Sequence, residues 1–512
     1  MIRTARSRSR STCAVMAPAL LLVVTVEMVQ GQTQPQIVPL SGRTGQTGAV
    51  VATQTPVPGP TTGVNTLNPA VAVQGPFSGS AAGAARRPFS GTLYMQDAVL
   101  RGLEYNLGAI NLAALAKQAR GQRSVARSVL LPNVVGDFNA TRQTVNLGSF
   151  GFQFPSIAGF DIPSVVGPFS TIDLRARLSQ SVFDRTAWNN YRAASATARA
   201  DELSAEDTRQ LIVLGIGGTY LQVAAIGARA ESARAQLDTA NALFRQNAER
   251  RRVGLVAQLD VDRSQVQALT QQQRLISLQN DFAKQKINLA RMVGLPPTDQ
   301  YMLGDNLPYT PAVPAVLEDL LRQARDKRAD LKAAAAQVEA SERSLSAAHA
   351  QRLPSLQVNA DVGAIGYSPA GARRTFSIVG AVRVPLWLGG RTEGQILQAE
   401  AAVAERRAEL DDLTSQIEGD VRKAYLDVQA VSAQVDLADL SRQLARKALE
   451  LTRQRFDAGI SDNVEVIQAQ EVLANAELDY INSIFAHNLA KLSLARTTGQ
   501  GDDRLTDFLR TP

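Results

Sequence analysis

The 512-residue chain is 45% hydrophobic and 20% charged, enough apolar content for an extensive core over a length of about two to four ordinary domains. Its net charge of +7 falls to +4 once residues 1–31 are set aside, since Arg3, Arg6, Arg8 and Arg10 there face only Glu27. No basic block remains, which argues against nucleic acid as a partner, and the single cysteine, Cys13, leaves nothing downstream for disulfide or thiol chemistry.

Residues 1–31 read as a signal peptide: an arginine-rich start, an apolar stretch from Ala14 to Val26 too short to span a bilayer, and small or modest side chains before Gln32. Cys13 precedes that stretch rather than following it, so no lipid-anchor cysteine is expected. Residues 32–90, rich in Gln, Thr, Pro, Gly and Ala and without periodicity, read as a disordered or extended segment. Order is expected from Thr92, an N-cap-like residue.

The remainder reads as two copies, 92–295 and 315–500, around a Pro-rich linker at 296–314, with a short tail at 501–512. Tyr220-Leu221 matches Tyr425-Leu426, Arg250 and Gly254 match Arg455 and Gly459, and Leu-Ala-Arg-x-x-Gly recurs at 289–294 and 494–499, all at a constant offset. That regularity argues for an internal duplication.

Each copy opens with a helix, 92–131 or 315–352, closed by a Leu-Pro step at Pro132 or Pro354, because proline cannot continue a helix and forces its predecessor toward extended geometry. Two period-two segments follow. Leu356, Val358, Ala360, Val362 and Ala364 alternate with Gln357, Asn359, Asp361 and Gly363; Ile172, Leu174, Ala176 and Leu178 alternate with Asp173, Arg175, Arg177 and Ser179. These are strands with one apolar and one polar face, joined by Gly/Pro-rich loops at 148–168 and 366–373.

A very long helix comes next, 185–250 or 391–457. Leu410, Leu413, Ile417, Val421, Ala424, Val428, Val431 and Val435 step by three or four as a coiled-coil seam does. A Gly-centred turn and a returning helix of about 35–40 residues complete each copy. Residues 211–228 approach the composition of a membrane helix, but the matching stretch 416–433 holds Glu418, Asp420, Arg422, Lys423 and Asp427, which argues against one.

No phosphate-binding glycine loop and no Cys/His cluster is present. His349 and His487 stand alone on helical patterns. Asp260 and Asp262, or Asp411 and Asp412, read as solvated or salt-bridged positions. No catalysis, cofactor or metal is expected.

The strand faces suit lipid outside and water inside. Four strands cannot close a barrel, and open edges are not tolerated in a bilayer, so the chain must oligomerise or the strands form a small soluble sheet. Three chains would supply twelve strands. The alternative is an exported periplasmic coiled-coil structural protein.

At this point the chain resembles the TolC-like outer-membrane efflux proteins, over about 92–500. The motifs that carry this are the LPNV and QRLPSL junctions, LSQSVFDRT, VPLWLGGRTEGQ, VGLVAQLDVDRSQ, RFDAGISDNVEVIQAQ and HNLAKLSLARTTG. The resemblance implies an α+β membrane protein: a homotrimer with a shared twelve-stranded barrel in outer-membrane lipid and a periplasmic α-barrel. It implies a passive exit duct that meets a periplasmic membrane-fusion adaptor and an inner-membrane pump, proton- or ATP-driven. It assigns adaptor docking to Val253, Gly254 and Leu255 and to Ala458, Gly459 and Ile460, and a pore constriction to Asp260 and Glu465. The chain departs from the family pattern at Gln468, where a second acid often recurs, at Ser461, where an arginine commonly ties the tip, and in its long 32–90 segment.

Overall fold

The computed structural model describes residues 50–58, 65–81, 91–151, 164–296, 301–305, 307, 309–312 and 315–500. The expected signal peptide at 1–31 and the expected tail at 501–512 lie outside them.

The first element corrects an expectation. Within 32–90, β1 (Val50–Pro58) and β2 (Asn65–Val73) pair antiparallel, Val50 opposite Val73, and a 3-10 turn at Gly75–Ser78 buries Phe77. The composition looked disordered because the hairpin has little core of its own. Its apolar residues are used against another element, far along the chain.

β3 (Gly91–Leu93) runs parallel to β6 (Tyr301–Leu303), so Thr92 lies in a strand and part of the 296–314 linker is structured. The helix begins later, as α1 (Met95–Tyr105), where the Met95 amide donates to Asp305 Oδ2 at 2.8 Å. The expected continuous helices 92–131 and 315–352 are each broken. α1 stops at Asn106 before α2 (Leu107–Ser128), and α5 (Leu317–Lys327) stops at Arg328 before α6 (Ala329–Ala350). Asn106 (ψ 132°) and Arg328 (ψ 122°) are extended, and each break exchanges helix bonds for side-chain bonds. Asn106 Oδ1 accepts from the Gly108 amide and its Nδ2 donates to the Phe77 carbonyl; Arg328 grips Asp330 bidentately.

Four long strands form one sheet in the order β4 (Asn133–Asn146), β5 (Val165–Phe183), β7 (Ser355–Gly366), β8 (Arg373–Arg383), all antiparallel. The register puts Phe138, Leu174, Ala364 and Arg374 in one cross-strand row, and Asp137, Arg175, Gly363 and Thr375 in the next. The alternation read from sequence therefore becomes two distinct sheet faces.

Four helices carry the length: α3 (Arg185–Arg252), α4 (Gln258–Met292), α7 (Arg391–Asp457) and α8 (Asn463–Thr497). At 1.5 Å per residue, α3 and α7 each run about 100 Å. The expected seam is buried from Ile417 through Val435, with Leu410 and Leu413 half-buried.

The core explains the membrane-like stretch 211–228. That part of α3 is mostly buried within the protein, beneath β1–β2, α1, α8 and the β3–β6 pair. Its glycines are the contact points: a Cβ on Gly218 would lie 2.8 Å from Val71 Cγ2, and one on Gly215 3.2 Å from Val50 Cγ1. Tyr220, 1% exposed, donates to the Leu93 carbonyl at 2.9 Å, and burial raises its pKa. Its neighbour Leu221 is 1% exposed, whereas the matching Leu426 on α7 is 61% exposed. The two segments differ in composition because only one of them is covered by the hairpin.

Candidate functional site

The two Gly turns are built alike. α3 ends with Gly254 at φ +80°, and α7 with Gly459 at φ +74°. In each, the residue after glycine donates back five residues: Leu255 to the Arg250 carbonyl at 2.8 Å, and Ile460 to that of Arg455 at 2.9 Å. This is the Schellman closure, and its left-handed position is where glycine costs least. Val253, Leu255 and Ile460 are 64%, 74% and 71% exposed, and a side chain on either glycine would meet open space. Ala458 is exposed as well. The six residues expected at the tips thus form two bare apolar knuckles.

Side chains bind the two turns together. Arg250 Nη2 lies 2.9 Å from Asp457 Oδ1, which also accepts from Gln246, and the Arg250 guanidinium stacks 4.5 Å from the Phe456 ring centroid. Asn463 Nδ2 donates to the Asp260 carbonyl at 3.0 Å. Beneath them Leu243, Leu449, Phe456 and Val466 make a small sealed core. The sequence marked Arg250 and Arg455 only as repeat landmarks. Their shared four-residue spacing before a turn glycine was the available signal, but their partners lie on other helices.

Asp260 and Glu465 both occupy the third position of their helices, where a carboxylate is favoured by the helix dipole. Their surroundings differ. Glu465 accepts from Ser461 Oγ at 2.7 Å and lies 3.4 Å from Arg455 Nη1, while its amide donates to the capping Asp462. Asp260 is less exposed and faces Arg263 at 3.8 Å; its helix starts at Ala257 without a side-chain cap. Ser461 therefore holds Glu465 rather than leaving it unattended.

At the opposite end of the long helices, Pro132 and Pro354 each directly precede a strand, after a bend. Asn133 Nδ2 completes the first junction by donating to the Ser128 and Leu131 carbonyls, both at 3.0 Å. The return to helix differs between copies. Asp184 caps α3 by accepting from the Ala187 amide, whereas α7 follows two left-handed glycines, Gly389 and Gly390. Just before them Leu386 and Trp387 are 93% and 86% exposed.

His487 is buried, with Nε2 3.0 Å from the Thr310 carbonyl, Nδ1 3.4 Å from Ser432 Oγ, and the Tyr309 ring 5.3 Å away. Burial lowers its pKa. It fastens part of the linker to α7 and α8.

The sequence profile of the outer membrane efflux protein family matches residues 111–295 and again 320–500. The pyoverdine export outer membrane protein OpmQ of Pseudomonas putida is 25% identical over 413 residues, covering 79% of this chain and 84% of that protein. The alkaline protease secretion protein AprF of Pseudomonas aeruginosa is 25% identical over 410 residues, covering 75% and 81%. Among solved structures, the outer membrane protein VceC of Vibrio cholerae superposes with a TM-score of 0.67 at 23% identity, covering 79% of this chain and 96% of that one. The CmeC outer membrane channel of Campylobacter jejuni gives 0.68 at 16%, covering 80% and 86%.

Proposed function

Because the chain belongs to the outer membrane efflux protein family and is an outer-membrane channel for efflux or secretion, we propose that it works as a homotrimeric exit duct whose helix tips receive a periplasmic adaptor. The observation that carries this is the sheet. Phe138, Leu174, Val362, Phe376 and Ile378 stand on one face, 59–79% exposed, with no helix over them among the described residues, while Asp173, Arg175 and Asp361 form an ion-paired cluster on the other. Such a face needs lipid, and its edges β4 and β8 need partners. Three copies supply a twelve-stranded barrel.

The helices support the same assembly. Leu259, Val266, Leu269 and Ile276 on α4, and Leu437, Leu440, Leu444 and Leu451 on α7, are exposed at coiled-coil spacing. In a trimer these seams would meet neighbouring copies and form an α-barrel, and a duplicated chain would give it six-fold character. The duct itself is passive; an inner-membrane pump supplies energy. The Val253–Leu255 and Ala458–Ile460 knuckles dock the adaptor, and Asp260 and Glu465 line the narrowing beside them, where acids favour cations. Glu465, already paired with Arg455, leaves a weaker ring than a bare carboxylate would.

The test is a gel and export comparison. Extracted in detergent, the protein should migrate as a trimer that heating dissociates. Gly254→Val and Gly459→Val force a β-branched residue into a left-handed turn at about 1–2 kcal/mol, too little to unfold helices this long. The variants should therefore keep the trimer and lose export. A soluble monomer would overturn the duct, and normal export by both variants would overturn the docking role.

A further inference from the structure

The apolar face of the sheet carries two charges. Every acid in the four strands, Asp137, Asp173 and Asp361, lies on the polar face, where Arg175 and Arg177 pair with them. On the apolar face only Arg142 and Arg374 are ionic. Arg142 stands opposite Ser170 and Arg374 opposite Ala364, both are exposed, and among the described residues neither faces a carboxylate.

Their height is what makes them informative. Arg142 lies eight residues along β4 from Val134, and Arg374 eight residues along β8 from Val382. Eight residues are about 26 Å of strand, or about 20 Å of height at the usual barrel tilt. Both arginines thus sit at the upper margin of an apolar band of about 25 Å, at the loop end of the sheet and away from the long helices. Exposed Tyr367 stands at that end and Trp387 at the other, as interfacial aromatics do. An unpaired guanidinium facing hydrocarbon would be costly; one level with headgroups has phosphates to bind in bidentate fashion.

We propose that Arg142 and Arg374 form a collar that binds phosphorylated lipid headgroups of the outer leaflet of the outer membrane. The proposal rests on the barrel reading above, because closure brings β8 of one copy beside β4 of the next. Each boundary then joins one Arg374 to one Arg142. The two arginines sit on the two sheet edges, so the bound phosphate would bridge neighbouring copies as well as anchor them.

The experiment uses detergent-purified full-length trimers, a bisphosphorylated glycolipid, its dephosphorylated form and inorganic phosphate, read by native mass spectrometry. The trimer should retain the phosphorylated lipid and release the dephosphorylated one. In R142Q/R374Q, affinity should fall about thirty-fold, from about 1 kcal/mol per basic residue at a membrane surface. R142K/R374K should keep much of the binding, and R175Q, on the polar face, all of it. Equal retention of both lipids by the wild type, undiminished binding by R142Q/R374Q, or displacement of the lipid by inorganic phosphate alone would overturn the collar. Heat-modifiable trimer formation is scored on the same samples, so a failure of the barrel is separable from a failure of the collar.

Discussion

Replacing Gly218 with valine tests what the N-terminal hairpin does for the core. The new Cβ would stand 2.8 Å from Val71 Cγ2, 3.2 Å from Val71 Cγ1 and 3.4 Å from Leu489 Cδ1. To restore an ordinary carbon contact, Val71 must retreat by about 0.7 Å, and its branched side chain has few rotamers in which to do so. Moving it strains a hairpin whose other ties are Val50 and Val73 against Gly215 and the Gln54 side chain on the Ala486 carbonyl, 3.0 Å away. Overpacking of this kind costs about 1–3 kcal/mol. Because it falls on the hairpin's docking, it should raise the detached fraction about 5- to 150-fold. Limited proteolysis between 50 and 81 reads that fraction when reclosing outpaces cleavage. Val71→Ala alone should speed cleavage by loosening the contact. Combined with Gly218→Val it should speed cleavage by less than the product of the two, because the alanine removes the methyls that clash. Gly121→Ala, with no atom in the way, is the control and should not speed cleavage. Unchanged cleavage in Gly218→Val, or independent effects in the double variant, would refute the claim that the hairpin is seated on these glycines.

Two more predictions concern buried polar groups. Arg328 and Asp330, 5% and 7% exposed, bond to each other at 2.9 and 2.5 Å, with Arg496 and Asp207 paired close by. Burial alone would raise the Asp330 pKa, but the bidentate guanidinium outweighs it and holds the carboxyl below its usual range. Arg328→Met should destabilise the helices by about 3–5 kcal/mol, since it strands a buried carboxylate, whereas Arg328→Met/Asp330→Leu should recover most of that. Melting followed at 222 nm checks this, and a single variant as stable as the double contradicts it. For His487 the folded-state pKa lies below the ordinary value, because burial opposes protonation and Lys491 adds to this, while the Thr310 carbonyl and Asp436 pull the other way. The unfolded chain then takes up the proton first, so stability should fall as pH drops from the ordinary histidine value of about 6.5 toward the lowered one. His487→Gln should flatten that dependence in melts between pH 7 and 5. A wild type and variant with parallel pH profiles would assign the acid sensitivity elsewhere.

The two turn glycines, the period-two strands and the Ile417–Val435 seam were legible because each is a local or periodic signal. A left-handed cap needs glycine, a two-faced strand needs alternation, and a helix seam needs steps of three and four, whatever else the chain does. The 211–228 stretch shows where such signals run out. Its composition said only that it had to be removed from water, and its uncharged glycines gave no hint of what would cover it.

The cover is a hairpin more than a hundred residues earlier, in a segment whose composition suggests disorder. Val71 meets Gly218, and Val50 meets Gly215, only after the chain has folded back. The same holds for Asn106 reaching the Phe77 carbonyl and for Arg250 reaching Asp457. Each is a contact between residues with no shared period, and it exists because the fold places a donor beside an acceptor or a methyl above a glycine. By itself the sequence determined the four long helices, the turns between them and the faces of the long strands. The tertiary structure decided which surface covers the apolar heart of α3 and how the two tips are clasped, because those depend on long-range packing that periodicity cannot encode.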